Sequence, residues 1–169
     1  MHDLCYRIIQ SKLVILRKDL SEKKYGLILE YGHTFGHAIE WLAQGKLIHG
    51  EAVAIGMCIA AELGHKLDYI PQDTVDLHYE MMQKLQLPTK IPDFIDIPKL
   101  LEIMLSDNKK TGEGVKYILL EKIGVCKSPE TNYLIKVNPD IVKEVLAKYI
   151  SRNNKSLFTH KEFAVSLFF

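Results

Sequence analysis

From Gly50 to Leu67 the chain is apolar nearly all round and rich in alanine and isoleucine. No feature constrains the fold more. At helical period this stretch leaves no broad polar face for water, so the helix belongs inside a bundle. Upstream, Leu27 to Leu42 reads as a second helix. The turn Ala43-Gln44-Gly45-Lys46 is short and contains glycine, so the two helices pack as antiparallel neighbours.

That pairing has a chemical consequence. His33 and His37 are four apart and share one helix face. His49 opens the next helix and comes back against His33. Neutral imidazole is the commonest protein ligand for a divalent transition metal, and two histidines from neighbouring helices supply half a site. The plainer alternative is a set of satisfied core or surface histidines. Gly32 and Gly36 weigh against it. Each costs ~1 kcal/mol inside a helix, so two of them point to close approach of a ligand or another backbone.

The other segments read as follows. Residues 3–18 form a helix with Leu4, Ile8, Ile9, Leu13 and Leu16 on one stripe. The charged run 18–24 is a loop or solvated helix start. Asp73 is an N-cap for a helix from Thr74 to Leu85. Residues 87–93 are extended and broken by proline. Ile97-Pro98 opens a helix ending at Met104 or Leu105. Ser106 to Gly114 is a polar loop. Val115–Leu120 and Asn132–Val137 are short strands that pair across residues 124–130. Asn138-Pro139-Asp140 caps a last helix, Ile141 to Tyr149. Trp41, Met57, Met81 and Met82 read as core. The expected architecture is mainly α, a helical bundle with a small two-stranded β element. Residues 1–150 form the domain and 151–169 a poorly ordered tail.

Composition narrows the function. A net charge of +1 gives no footprint for nucleic acid or a membrane surface. No apolar run is long enough to span a bilayer, and Met1 to Gln10 does not read as a signal peptide. Cys5, Cys58 and Cys126 are odd in number and lack a Cys-x-x-Cys pair, which suits free thiols and the cytoplasm.

The run Gly-His-x-x-Gly-His-Ala-Ile-Glu (32–40), followed by His-Gly-Glu-Ala-Val-Ala-Ile-Gly-Met (49–57), resembles the C-terminal helical domain of the sugar phosphate cyclases, the dehydroquinate synthase superfamily. The resemblance runs without a gap from Lys12 through Met57 and more loosely to Tyr149. It implies an enzyme that uses NAD and a divalent metal, zinc or cobalt. Such enzymes oxidise a phosphorylated sugar, eliminate its phosphate, reduce the ketone back and close a carbocycle by aldol addition. By resemblance His33 and His49 are metal ligands, and His37 is an active-site histidine near the substrate phosphate. Lys12 lines the substrate pocket, Glu22 holds an acidic position in the following loop, and Lys109, or its neighbour Lys110, contacts phosphate.

Two departures from the family pattern are informative. Glu30 stands where dehydroquinate synthases carry asparagine, and Gly26 where they carry arginine. The Glu30 form resembles the 2-deoxy-scyllo-inosose synthases, which cyclise glucose 6-phosphate. That sugar lacks the carboxylate an arginine and an asparagine would recognise. The chain also begins after the family's NAD-binding half, and the third metal ligand, a glutamate, lies upstream. The expectation is a C-terminal piece, inactive alone, whose partners are a phosphorylated sugar and an N-terminal NAD-binding half, with a homodimer allowed. The alternatives are a 3-dehydroquinate synthase C-terminal domain or a non-catalytic helical interaction module.

Overall fold

The apolar helix forms as expected and lies at the centre of the molecule. In the computed structural model, which describes residues 2–111, 115–129 and 132–151, with the side chains of Leu4 and residues 105–111 outside that description, this helix spans His49–Lys66. We label the helices α1 (His2–Leu16), α2 (His33–Ala43), α3 (His49–Lys66), α4 (Gln72–Lys84) and α5 (Ile97–Thr111), with a 3-10 helix at Tyr25–Glu30 before α2. A last helix, α6, covers 139–151. Ile55, Ile59 and Leu63 of α3 are fully buried against Phe35 and Ile39 of α2, Leu100 of α5 and Leu146 of α6. Each such side chain contributes about 1.5–3 kcal/mol by leaving water.

The contact between α2 and α3 is set by glycines. A Cβ on Gly36 would lie 3.0 Å from Val53 Cα, and one on Gly32 would lie 2.7 Å from Met57 N. The close approach expected from the glycines is therefore to another backbone. It also changes the helix start. Gly32 adopts φ +81°, and the expected helix 27–42 is split into the 3-10 turn and an α-helix beginning at His33. The left-handed glycine turns the chain so that its carbonyl both accepts the Gly36 N–H at 2.9 Å and lies against α3. Gln44 and Gly45, both at positive φ, end α2. The Glu51 carboxylate accepts the Ile48 N–H at 3.0 Å and closes the start of α3.

Other boundaries move for local reasons. Asp73 lies inside the first turn of α4 and Pro71 flanks it, so Asp73 does not cap the helix. Asp96, unremarked in the sequence, accepts the Lys99 N–H at 3.1 Å and caps α5. α5 continues through Thr111, so most of the stretch expected as a loop at 106–114 is helical. Its polar residues are tolerated in a helix, and the first strong breaker is Gly112. Asn138 accepts the Asp140 N–H at 2.9 Å, the expected cap of the last helix.

The single β ribbon becomes two. β1 (Lys116–Tyr117) pairs antiparallel with β4 (Ile135–Lys136), which matches the expected pairing. Between them β2 (Leu120–Lys122) and β3 (Val125–Cys126) make their own antiparallel pair around a turn with Gly124 at φ +79°. Thr34 Oγ1 donates to the Lys116 carbonyl at 3.2 Å and ties this β region to α2. Tyr149 donates to the Thr89 carbonyl and ties α6 to the extended segment.

Two expected core assignments fail: Trp41 is 67% exposed and Met81 is exposed. Met57 and Met82 are half-buried and pack against the core. The stripe on α1 also lacks cover, because Ile8, Ile9 and Leu13 are exposed, with Tyr6 and Val14 beside them. The expected tail after Tyr149 lies, from residue 152 on, outside the described residues.

Candidate metal and phosphate site

His33 and His49 each occupy the first position of a helix, α2 and α3. His37 follows His33 by one turn. The antiparallel packing brings the three rings together, with centroids 5.2 Å apart for His33–His37, 5.3 Å for His33–His49 and 5.6 Å for His37–His49. One ring nitrogen from each lies within 4.8 Å of the others. His33 is half-buried, while His37 and His49 are exposed. The expected return of His49 against His33 is present.

The partners of the ring nitrogens separate the three. Nδ1 of His33 is 3.4 Å from the Tyr31 carbonyl, and Nδ1 of His49 is 2.9 Å from Glu40 Oε2. A carbonyl or carboxylate partner there can only accept, so Nδ1 carries the hydrogen, which in the neutral ring leaves the lone pair on Nε2. A neutral imidazole held this way is the usual state of a histidine metal ligand. Among the described residues no hydrogen bond holds the His37 ring. The donor set thus fits a divalent transition metal, with His33 and His49 aimed by neighbours and His37 free to turn toward another ligand.

The Tyr31 carbonyl that meets His33 is itself anchored. The Tyr31 hydroxyl lies 2.9 Å from Nε2 of buried His78, whose Nδ1 donates to the Thr74 carbonyl at 2.7 Å. Burial pushes the Tyr31 phenol far above its ordinary value, so the hydroxyl stays a donor.

The remaining predicted residues lie on other elements. Lys12 is exposed on α1, Glu30 is half-buried at the end of the 3-10 helix, and Glu22 is half-buried in the preceding loop at φ +53°. Among the described residues no hydrogen bond, ion pair or ring contact joins these three to the histidines. Lys109 and Lys110 fall within α5, and their side chains lie outside the description. The loop that carries Glu22 is braced by Asp19, which accepts the Lys24 N–H at 2.7 Å and the Gly26 N–H at 2.9 Å. Those two bonds pull its carboxyl from the usual 3.8 down to about 2. Glu40 was not foreseen as a site residue. Its signal is spacing, since it stands three residues after His37 and seven after His33 on one face of α2.

The family model for the 3-dehydroquinate synthase C-terminal domain matches residues 1–110. The chain is 36% identical over 143 residues to a 2-deoxy-scyllo-inosose synthase from Niallia circulans, covering 82% of this chain and 39% of that one. It is 35% identical over 141 residues to a 3-dehydroquinate synthase from Nostoc punctiforme, covering 83% and 38%. A crystal structure of 2-deoxy-scyllo-inosose synthase complexed with carbaglucose-6-phosphate, NAD+ and Co2+ superposes with a TM-score of 0.75 at 35% identity, covering 83% of this chain and 39% of that one. The chain belongs to the dehydroquinate synthase family of sugar phosphate cyclases, in which it corresponds to the C-terminal domain. It spans about two-fifths of the length of the curated relatives it matches.

Proposed function

We propose that this chain is the metal- and phosphate-binding half of a 2-deoxy-scyllo-inosose synthase, a carbon–oxygen lyase acting on glucose 6-phosphate. On this reading residues 1–150 are the working domain and an N-terminal half holds NAD. The observation that carries the proposal is the convergence of His33, His37 and His49 with Nδ1 of the first and last already partnered. When bound, a divalent metal such as zinc or cobalt would acidify a chelated sugar hydroxyl and so ease hydride loss to NAD.

The chain's own residues do the rest. His33 and His49 present Nε2 to the metal. His37, whose ring has no hydrogen bond among the described residues, binds the substrate phosphate on this reading, and Lys109 or Lys110 serves the same phosphate. Cationic and hydrogen-bonding groups there bind the phosphate and hold its charge as it leaves. Lys12 and the carboxylates of Glu22 and Glu30 complete the sugar pocket.

Position 26 favours glucose 6-phosphate over a carboxylate-bearing substrate. A Cβ on Gly26 would meet Glu22 Cγ at 3.0 Å and the Asp19 carbonyl oxygen at 3.2 Å. The loop has little room for an arginine. The crowding at Gly26 weighs against the alternative, a 3-dehydroquinate synthase domain. The exposed apolar side chains of α1 favour a second reading, a helical module that binds a partner without catalysis. Cys5, Cys58 and Cys126 form no disulfide, which suits the cytoplasm.

The test joins this chain to the N-terminal half of the Niallia circulans enzyme and supplies NAD, cobalt and glucose 6-phosphate. Phosphate release with formation of the carbocyclic ketone is expected from the joined protein, and none from the chain alone. Turnover of the dehydroquinate precursor in its place would assign the chain to the other branch. Turnover of neither would end the enzymatic reading.

A further inference from the structure

The geometry points to Glu40 as a positioning residue that fixes the ring of His49 and its tautomer for metal binding, an inference that rests on the metal reading above. His49 needs such a device more than His33 does. Its side chain is 53% exposed, and it follows a turn rather than a packed segment. Among the described residues its ring contacts are with the His33 and His37 rings. Glu40 Oε2, 2.9 Å from Nδ1, is the one hydrogen-bond partner that ring has among the described residues. The bond links α2 to α3, and Glu40 projects from the same face as His33 and His37. The helix that supplies two of the three imidazoles thus also supplies the group that aims the third.

The plainer account is a surface ion pair between neighbouring helices. With Glu40 36% exposed, such a pair adds little to stability. The two accounts differ in what they predict for the ring. A carboxylate at Nδ1 holds the hydrogen there, leaves Nε2 as the ligand atom and raises its basicity, and loss of such a partner typically weakens metal affinity about 10- to 100-fold. A surface ion pair predicts no tautomer preference and no effect on metal.

The experiment compares the full chain with Glu40→Ala and Glu40→Gln. Long-range proton–nitrogen NMR correlations on the metal-free, histidine-labelled protein report the His49 tautomer. Cobalt titration is followed by quenching of Trp41, the chain's one tryptophan, which stands one turn beyond His37. The Nδ1–H tautomer is expected in the wild type, lost in Glu40→Ala and partly kept in Glu40→Gln, whose amide oxygen still accepts. Cobalt affinity should fall about 10- to 100-fold in Glu40→Ala and less in Glu40→Gln. An Nε2–H tautomer in the wild type would overturn the inference. So would unchanged cobalt affinity in Glu40→Ala while His49→Ala loses it, and the metal reading would then stand. If His33→Ala and His49→Ala bind cobalt as the wild type does, or neither the wild type nor its fusion to the Niallia circulans N-terminal half binds any, the metal reading fails and Glu40's role with it.

Discussion

Gly56 of α3 faces Gly32 so closely that a Cβ on Gly56 would lie 2.1 Å from the Gly32 carbonyl oxygen and 2.8 Å from the Gly36 N. Both obstacles are backbone atoms, so no rotamer change relieves them. The same turn starts the helix that carries His33 and His37. Gly56→Ala should therefore cost at least about 3 kcal/mol, the upper end for overpacking, and should splay α2 from α3. Urea unfolding measures the first effect and cobalt titration the second. Gly64→Ala is the control. A Cβ there would meet only the Ile70 side chain at an ordinary 3.5 Å. That variant should gain up to about 1 kcal/mol from helix propensity. A similar loss in both variants would mean the α2–α3 contact is not the tight one described.

Tyr31 and His78 make a second test, of stability rather than chemistry. The Thr74 carbonyl can only accept, so Nδ1 of His78 carries its hydrogen, and Nε2 faces the Tyr31 hydroxyl, which also lies 3.4 Å from the Met57 carbonyl. Tyr31→Phe leaves that buried nitrogen without its hydrogen-bond partner, which costs about 1–3 kcal/mol. The Tyr31 carbonyl remains for His33. Cobalt affinity should therefore change far less than the unfolding midpoint.

Asp19 gives a pH signature. Its folded value, about 2, lies below the ordinary 3.8. The unfolded chain therefore binds the proton more readily than the folded one. The stabilisation from this carboxylate is fully present above pH 3.8 and is lost as pH falls toward 2. Protection of the Lys24 and Gly26 amides, measured as exchange relative to the intrinsic rate at each pH, should fall across that window. Asp19→Asn should show reduced protection at those amides already at neutral pH, with no further loss of protection on acidification.

Some of this was legible in the chain and some was not, for definable reasons. The burial of α3 was legible because an apolar helix with no polar face has one place to go. The histidine cluster was legible because a spacing of four fixes one face of α2 and a short turn returns His49 to it. The break at Gly32 was not, because it follows from a contact with Gly56, distant in sequence. Reading Trp41 as core followed its apolarity rather than its position. Trp41 is four residues beyond His37, and the histidine face of α2 is the face that looks outward. Glu40 lies on that face and was passed over because its partner, His49, comes from the next helix. The helical residues 106–111 were hidden by polar composition, which excludes a buried face and not a helix.

The exposed stripe of α1 leads to the last prediction. Tyr6, Ile9 and Leu13 recur at helical spacing and are 63%, 56% and 37% exposed. An apolar row of that kind favours association. The isolated chain should sediment as a concentration-dependent mixture of monomer and larger species and should bind a hydrophobic dye. Ile9→Lys with Leu13→Lys should return it to a monomer. The unfolding midpoint should move little, because these side chains are not in the core and surface changes are usually within about 0.5 kcal/mol. Cobalt binding at His33 and His49 should survive in the double variant. A large loss of stability would mean that α1 packs against the bundle in solution. A monomeric wild type that binds no dye would remove α1 as an interaction face.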